Sequence, residues 1–196
     1  DDTALVLSGT NESGSSVTVY NGTTSLGAAT VSGTGWSYTA TVANGTTYQF
    51  NVKETDAAGN TSAATSNFAV TGDTTAPTVS SVSISSASGA QNSLLNAGDV
   101  VSVSATFSEN VTTTGSPQLT LNVGGTSRTA TYASGSGGTS LVFQYTIQAG
   151  ESDADGISIG ANALALNSGT IRDAVGNNAT ITHSSVAANS SYKVDN

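Results

Sequence analysis

The chain has 196 residues, enough for one large domain or two ordinary ones, and a formal charge of -9 from 13 acidic against 4 basic residues. Four basic residues cannot neutralise a run of phosphates, which argues against nucleic acid or an anionic membrane as partner, and no cysteine is present for a disulfide or a thiolate metal site. Charged residues are only 9%, and the Val, Ile, Leu, Tyr and Phe residues fall in short alternating runs with no sustained helical period, so the fold class is all-β.

Alternation and turn signals predict strands over Ala4–Ser8, Ser16–Tyr20, Ser25–Val31, Trp36–Val42, Thr47–Glu54 and Ser66–Val70, with tight turns at Asn21-Gly22 and Asn44-Gly45. Gly72-Asp73-Thr74-Thr75-Ala76-Pro77 then interrupts the pattern, and Pro77 forces Ala76 towards an extended conformation ahead of a new β run. Two units are therefore expected, 1–72 and 73–196, with the linker around 72–77. In the second, strands are predicted over Val79–Ser85, Val100–Phe107, Gln118–Val123, Ser127–Tyr132, Ser140–Ile147, Thr170–Arg172, Ala179–Thr182 and Tyr192–Val194. Ile157–Leu166 fits neither period and has room for a short helical turn. Short strands at regular spacing predict tandem Greek-key immunoglobulin-like β-sandwiches.

The acidic residues cluster where a sandwich brings alternate loops to one pole. The second strand of unit two ends at Phe107-Ser108 and is followed by Glu109, read as part of a loop. Asp173-Ala174-Val175-Gly176-Asn177 joins the penultimate strand to the closing one. Both are expected at the pole where the linker enters, so Asp73, Glu109 and Asp173 converge, with Asn177 adding an amide oxygen. Ca²⁺ takes about six to eight oxygen ligands, a need that carboxylate, amide, backbone and water oxygens meet. Unit one repeats the motif as Asp56-Ala57-Ala58-Gly59-Asn60, expected at the pole where Asp1 and Asp2 enter, and Glu12 is expected to face the seam. A second acidic group, Glu151, Asp153 and Asp155, is expected at the far pole of unit two, joined by Asp195 and Asp99. The plain alternative for D-x-x-G-N is a turn, in which Asp and Asn cap backbone groups and Gly supplies a positive φ.

Ser16-Val17-Thr18-Val19-Tyr20-Asn21-Gly22, Gly35-Trp36-Ser37-Tyr38, Thr55-Asp56-Ala57-Ala58-Gly59-Asn60 and the linker Asp73-Thr74-Thr75-Ala76-Pro77 resemble the bacterial Ig-like repeats of giant RTX adhesins. Phe107-Ser108-Glu109-Asn110-Val111, Tyr132–Gly137 and Ile171–Asn177 resemble a longer Ig-like or cadherin-like repeat of the same proteins. The resemblance implies type I export, calcium-dependent folding at the bacterial cell surface, and service as extender or ligand-display modules in biofilm adhesins. The partners it implies are neighbouring repeats of the same chain, with surface glycans or proteins met through other domains and the segment itself a monomer.

Nothing in the chain assembles into a catalytic constellation. His183, the only histidine, has no cysteine to pair with and reads as an exposed strand residue. Trp36, the only tryptophan, reads as core filling rather than a sugar platform. Glu109 and Asp173 have the residue types of a glycosidase pair, but a narrow seam suits metal ligation better. The expectation is a calcium-stiffened spacer without enzymatic activity. The alternatives are a saccharide- or peptide-binding module and an accessory spacer of a secreted polysaccharide-active enzyme.

Overall fold

In the computed structural model, which describes residues 3–195, the alternating runs form strands and the chain divides into two compact units, Asp1–Thr75 and Ala76–Asn196. Both units are β-sandwiches.

Unit one contains β1 (Ala4–Thr10), β2 (Ser16–Asn21), β3 (Thr24–Ala28), β4 (Thr30–Ser32), β5 (Gly35–Thr41), β6 (Thr47–Thr55) and β7 (Phe68–Thr71). They form two sheets, ordered β1-β5-β4 and β3-β2-β6-β7. The pairings β1–β5 and β2–β6 join non-consecutive strands, as a Greek key requires. The run expected as one strand, Ser25–Val31, is divided: β3 pairs with β2 while β4 pairs with β5, so the chain changes sheet at Ala29. The Ala29 N–H donates to Val17 O at 2.8 Å and its side chain packs on the core, which leaves the residue in neither ladder. That core is Val19, Ala40, Val42 and Phe50, with the inward side chains of Leu5, Leu7 and Tyr48 around it.

The register fixes the poles of unit one. Ala4 faces Thr41 and Val42 N–H donates to Thr3 O, so the chain enters at the Val42 end. Thr71 faces Thr47, and Gly72 N–H donates to Thr46 O, so it also leaves there. Because β3 and β4 together make a single pass between the poles, the number of passes is even and entry and exit coincide.

Unit two contains β8 (Val79–Ser88), β9 (Leu94–Leu95), β10 (Val100–Thr114), β11 (Gln118–Val123), β12 (Thr126–Ser134), β13 (Gly138–Thr146), β14 (Ser152–Asp153), β15 (Leu164–Ala165), β16 (Thr170–Arg172), the 3-10 turn Ser190–Tyr192 and β17 (Lys193–Asp195). The main sheet runs β15-β11-β12-β13-β10, with β8 on the other side of β10; a small sheet, β14-β17-β9, stands apart from it. Val101, Val103, Ala105 and Phe107 alternate inward along β10 and meet Leu95, Ile147, Ile157, Ile159, Leu164, Ile171 and Val194 in one core.

Three expectations are corrected here. Ser108-Glu109-Asn110 is not a loop: β10 continues through it for 15 residues, with its register against β13 broken between Thr106 and Val111. The extra residues form a bulge, after which Thr112–Thr114 pair with β16. Ile157–Leu166 contains no helical turn. It is extended on either side of a turn at Ala161-Asn162, where Asn162 has a φ of 55°, and is bridged by Ser158 to Asn122 and by Ile159 to Val186, because Ile157, Ile159 and Leu164 are all needed in the core. Ala179–Thr182 makes no strand of its own, only a parallel bridge from Thr180 to Thr78.

Candidate metal centre

The two D-x-x-G-N segments fold alike. In unit two Asp173 Oδ1 accepts the N–H groups of Val175 (2.9 Å), Gly176 (2.7 Å) and Asn177 (2.8 Å), while the Asn177 amide nitrogen donates to Asp173 Oδ2 at 2.7 Å. In unit one Asp56 Oδ1 accepts from Ala58 N (2.9 Å) and Asn60 N (2.8 Å), and Asn60 Nδ2 donates to Asp56 Oδ2 at 2.9 Å. The main chain closes each loop, from Asp173 N to Asn177 O and from Asp56 N to Asn60 O. The motif is a turn built on its own aspartate, as the plain reading has it.

The environments of the two turns differ. Asp173 and Asn177 are buried at 4% and 3% exposure, whereas Asp56 is half-buried and Asn60 exposed. Burial would raise the Asp173 carboxyl, but the Asn177 side chain and then the N–H groups of Asn177, Gly176 and Val175 outweigh it and hold it below the ordinary value. Asp173 is therefore a buried carboxylate kept charged. Each carboxylate oxygen has about two acceptor sites, so three donors saturate Oδ1 while the single donor on Oδ2 leaves that atom able to meet a cation.

Beside Asp173 stands Glu109. β16 runs antiparallel to the end of β10, with Arg172 opposite Thr112, so the Asp173 turn follows β10 back towards its bulge. Carboxylate oxygens of Glu109 and Asp173 lie within 4.8 Å of one another. The same pole receives the start of the unit: Ser108 N–H donates to Thr78 O (2.9 Å), Thr78 N–H donates to Ser108 Oγ (3.0 Å), and Thr180 N–H donates to Pro77 O (2.7 Å). Every candidate donor atom here is oxygen, the donor set of a hard cation such as Ca²⁺.

The remaining expected ligands are placed as follows. Asp73 belongs to the last residues of unit one, where its Oδ1 accepts the Thr75 N–H at 3.1 Å and Thr74 N–H donates to Asn44 Oδ1 at 3.0 Å. Asp2, with Asp1, lies outside the described residues. Asp56 and Asn60 stand at the pole opposite the chain entry, not beside it, because β6 runs from Thr47 at the entry pole to Thr55 at the far one. Glu12 is at that far pole too: its N–H donates to Glu54 Oε1, so the expectation that it faces the linker is overturned.

In unit two Asp195 does come beside Ser152, through the β14–β17 pairing. Even so, Asp153, Asp155 and Asp195 do not bring three carboxylates within 4.8 Å of one another. Asp153 is instead buried, accepting Gly124 N at 2.7 Å and Gly156 N at 2.9 Å, which makes it a staple between two turns. Glu151 is buried as well, taking Tyr145 Oη (2.6 Å), Gln148 N (2.8 Å) and the Arg128 guanidinium. Burial would raise the Glu151 carboxyl, but these three donors hold it low, and Tyr145 is pushed up to about 12 by its own burial and by Glu151. Asp99 accepts the Asn96 N–H at 2.8 Å.

His183 is not an exposed strand residue. It is half-buried, and its Nε2 accepts the N–H groups of Ala163 (2.9 Å) and Leu164 (3.3 Å), while Nδ1 faces Ser184 O at 2.8 Å. A carbonyl at Nδ1 and two donors at Nε2 require the neutral ring protonated on Nδ1. No helix among the described residues is long and apolar enough to cross a membrane.

No curated protein matches this chain in sequence. Among solved structures, the chain is similar to the fibronectin(III)-like modules of Clostridium thermocellum CbhA, at 15% identity and a TM-score of 0.41, covering 98% of this chain and 84% of that one. It is also similar to SGBP-B of the Bacteroides ovatus mixed-linkage glucan utilization locus, in complex with a mixed-linkage heptasaccharide, at 18% identity and a TM-score of 0.26, covering 97% of this chain but only 40% of that one. Residues 1–74 match the family model of the bacterial Ig-like domain.

Proposed function

We propose that the chain is a calcium-stiffened extender segment of a large bacterial surface adhesin, exported to the cell surface, projecting other domains for attachment and without catalytic activity of its own. The observation that carries the reading is the Glu109–Asp173 pair at the pole of unit two that receives the chain at Pro77. Two like charges within 4.8 Å repel by roughly 1–3 kcal/mol for effective dielectrics between water and a protein surface. A divalent cation turns that repulsion into ligation.

Asp73 precedes Pro77 by four residues, and four extended residues reach no further than about 14 Å. Chain length alone therefore makes Asp73 available to the same ion. In this reading Glu109, Asp173 Oδ2, Asn177 Oδ1 and Asp73 hold Ca²⁺, and the ion ties the linker to unit two. Without the ion the carboxylates repel and the linker gains freedom. The partners are the neighbouring repeats of the same chain, and the segment acts as a monomer.

Small-angle scattering on the chain in calcium and in chelator tests this. The expected outcome is a larger and better-defined maximum dimension with calcium, lost in Glu109→Gln. Equal dimensions in both conditions would sink the stiffening reading, and the absence of calorimetric calcium binding would sink the site.

A further inference from the structure

The chain holds two Asn-Gly pairs. Asn21-Gly22 leads into the turn between β2 and β3, and Asn44-Gly45 forms the turn between β5 and β6. In such a pair the side-chain amide is open to attack by the next main-chain nitrogen, because glycine has no Cβ to hinder the approach. Gly45 N, on losing its proton to hydroxide, adds to Asn44 Cγ. The new N–Cγ bond closes a five-membered succinimide, the bond from Cγ to Nδ2 breaks, and the nitrogen leaves as ammonia after taking a proton from water. Water then adds to either ring carbonyl, and the imide C–N bond breaks there. One opening leaves an aspartate at position 44, and the other an isoaspartate whose main chain runs through Cγ. Nothing is oxidised or reduced, and a neutral amide becomes a carboxylate.

The fold holds the two attacking nitrogens differently. Gly22 N–H donates to Gln49 O at 2.7 Å, Gln49 N–H donates to Asn21 Oδ1 at 2.7 Å, and the buried Asn51 donates from Nδ2 to Gly22 O at 2.8 Å. Asn21 and Gly22 are half-buried, and their partners lie on β6, which is paired on both sides. Freeing Gly22 N means unzipping the end of the β2–β6 ladder.

Asn44 and Gly45 are exposed. Gly45 N–H donates to Gly72 O at 2.8 Å, Gly72 N–H to Thr46 O at 3.0 Å, and Thr74 N–H to Asn44 Oδ1 at 3.0 Å. All three bonds join the turn to residues 72–74, which follow β7, the edge strand of its sheet. Gly45 N is freed when that short segment peels from the turn, an opening that costs far less than breaking an interior ladder.

We infer that Asn44 is a modification site of the folded chain, deamidated through its succinimide while the sheet protects Asn21. The aspartate product keeps an acceptor for Thr74 N–H and adds a negative charge next to the residue that follows Asp73. The isoaspartate product inserts an extra carbon into the main chain ahead of Gly45, so the paired bonds of Gly72 to Gly45 and Thr46 no longer fit together. Either product acts, irreversibly, on the residues where the chain leaves unit one.

The test holds the full chain at mildly alkaline pH and digests samples at intervals. Mass spectrometry of the peptides reads the exchange of amide for acid, and isoaspartyl methyltransferase reads the isoaspartate. Peptides containing residue 44 are expected to convert roughly tenfold faster than those containing residue 21, with the two rates converging in concentrated urea. The isoaspartyl fraction should exchange the Gly72 and Thr74 amide hydrogens faster than the intact chain. Asn44→Ser, with its fold checked by circular dichroism, should remove most of the methyl-accepting signal, whereas Asn21→Ser should leave it. An Asn44 that stays intact in the folded chain while it reacts in urea overturns the inference, as does loss of Asn21 at an equal or greater rate.

Discussion

Asp173 and Asp56 occupy the same five-residue motif, yet only Asp173 is buried, beside a second carboxylate. Both Asp173 and Glu151 are held below their ordinary values of 3.8 and 4.5 by the donors around them. The fold thus prefers their charged forms. Their contribution to stability is complete above those ordinary values and is lost as the pH falls through the lower folded ones. Denaturant midpoints should stay level down to about pH 5 and drop below about pH 4, with a shallower drop in Glu151→Gln. An acid limb identical in that variant would show that Glu151 contributes nothing to it. At neutral pH, Glu151→Gln should cost about 2 kcal/mol and Tyr145→Phe about 1–2 kcal/mol in urea unfolding, since each breaks a charge-assisted hydrogen bond at a buried group. The turn itself was legible from Asp, Gly and Asn at that spacing. The burial that separates Asp173 from Asp56 was not, because it depends on which neighbouring strand lies alongside.

At the scale of elements, the alternating runs were the legible part. β2, β5, β6, β11 and β16 lie within a residue or two of their predicted spans, because period-two alternation between turn residues has no helical equivalent. Where the sequence reading went astray, tertiary pairing overrode a local signal. Ser-Glu-Asn looks like a loop, but flanking strands on both sides of β10 hold it extended through a bulge. Ser25–Val31 looks like one strand, but it serves two sheets. The β11–β12 turn shows how closely such elements approach: a Cβ on Gly124 would lie 1.9 Å from Ser152 O, whereas one on Gly125 would meet nothing within 4 Å. Both have positive φ, 55° and 82°. Gly125→Ala should therefore cost only the left-handed backbone, about 1–2 kcal/mol, and Gly124→Ala about 3 kcal/mol or more by adding the collision. Equal losses of thermal stability in the two variants would show that the close approach is relieved without cost.

For the molecule as a whole, the two units have unequal cores. Eighteen buried hydrophobic residues form the cluster in unit two, against four in unit one, where Phe68 stays in solvent although it faces the buried Phe50. Burial drives folding roughly in proportion to the apolar area removed from water, so unit one should unfold first. Trp36 reports on unit one alone, and circular dichroism reports mainly on the larger unit. The fluorescence midpoint in urea is expected below the dichroism midpoint, and coincident curves would refute the ranking. By itself the sequence determined the all-β class, the Gly72–Pro77 interruption and the two aspartate turns, because alternation, proline geometry and turn chemistry act within a few residues. Only the tertiary structure decided that Asp173 is buried, that Glu12 and Asp56 stand at the pole away from the chain entry, and that Phe68 stays in solvent opposite the buried Phe50. Each of those depends on strand register and on the number of passes between the poles, quantities summed over the whole chain and written at no single position.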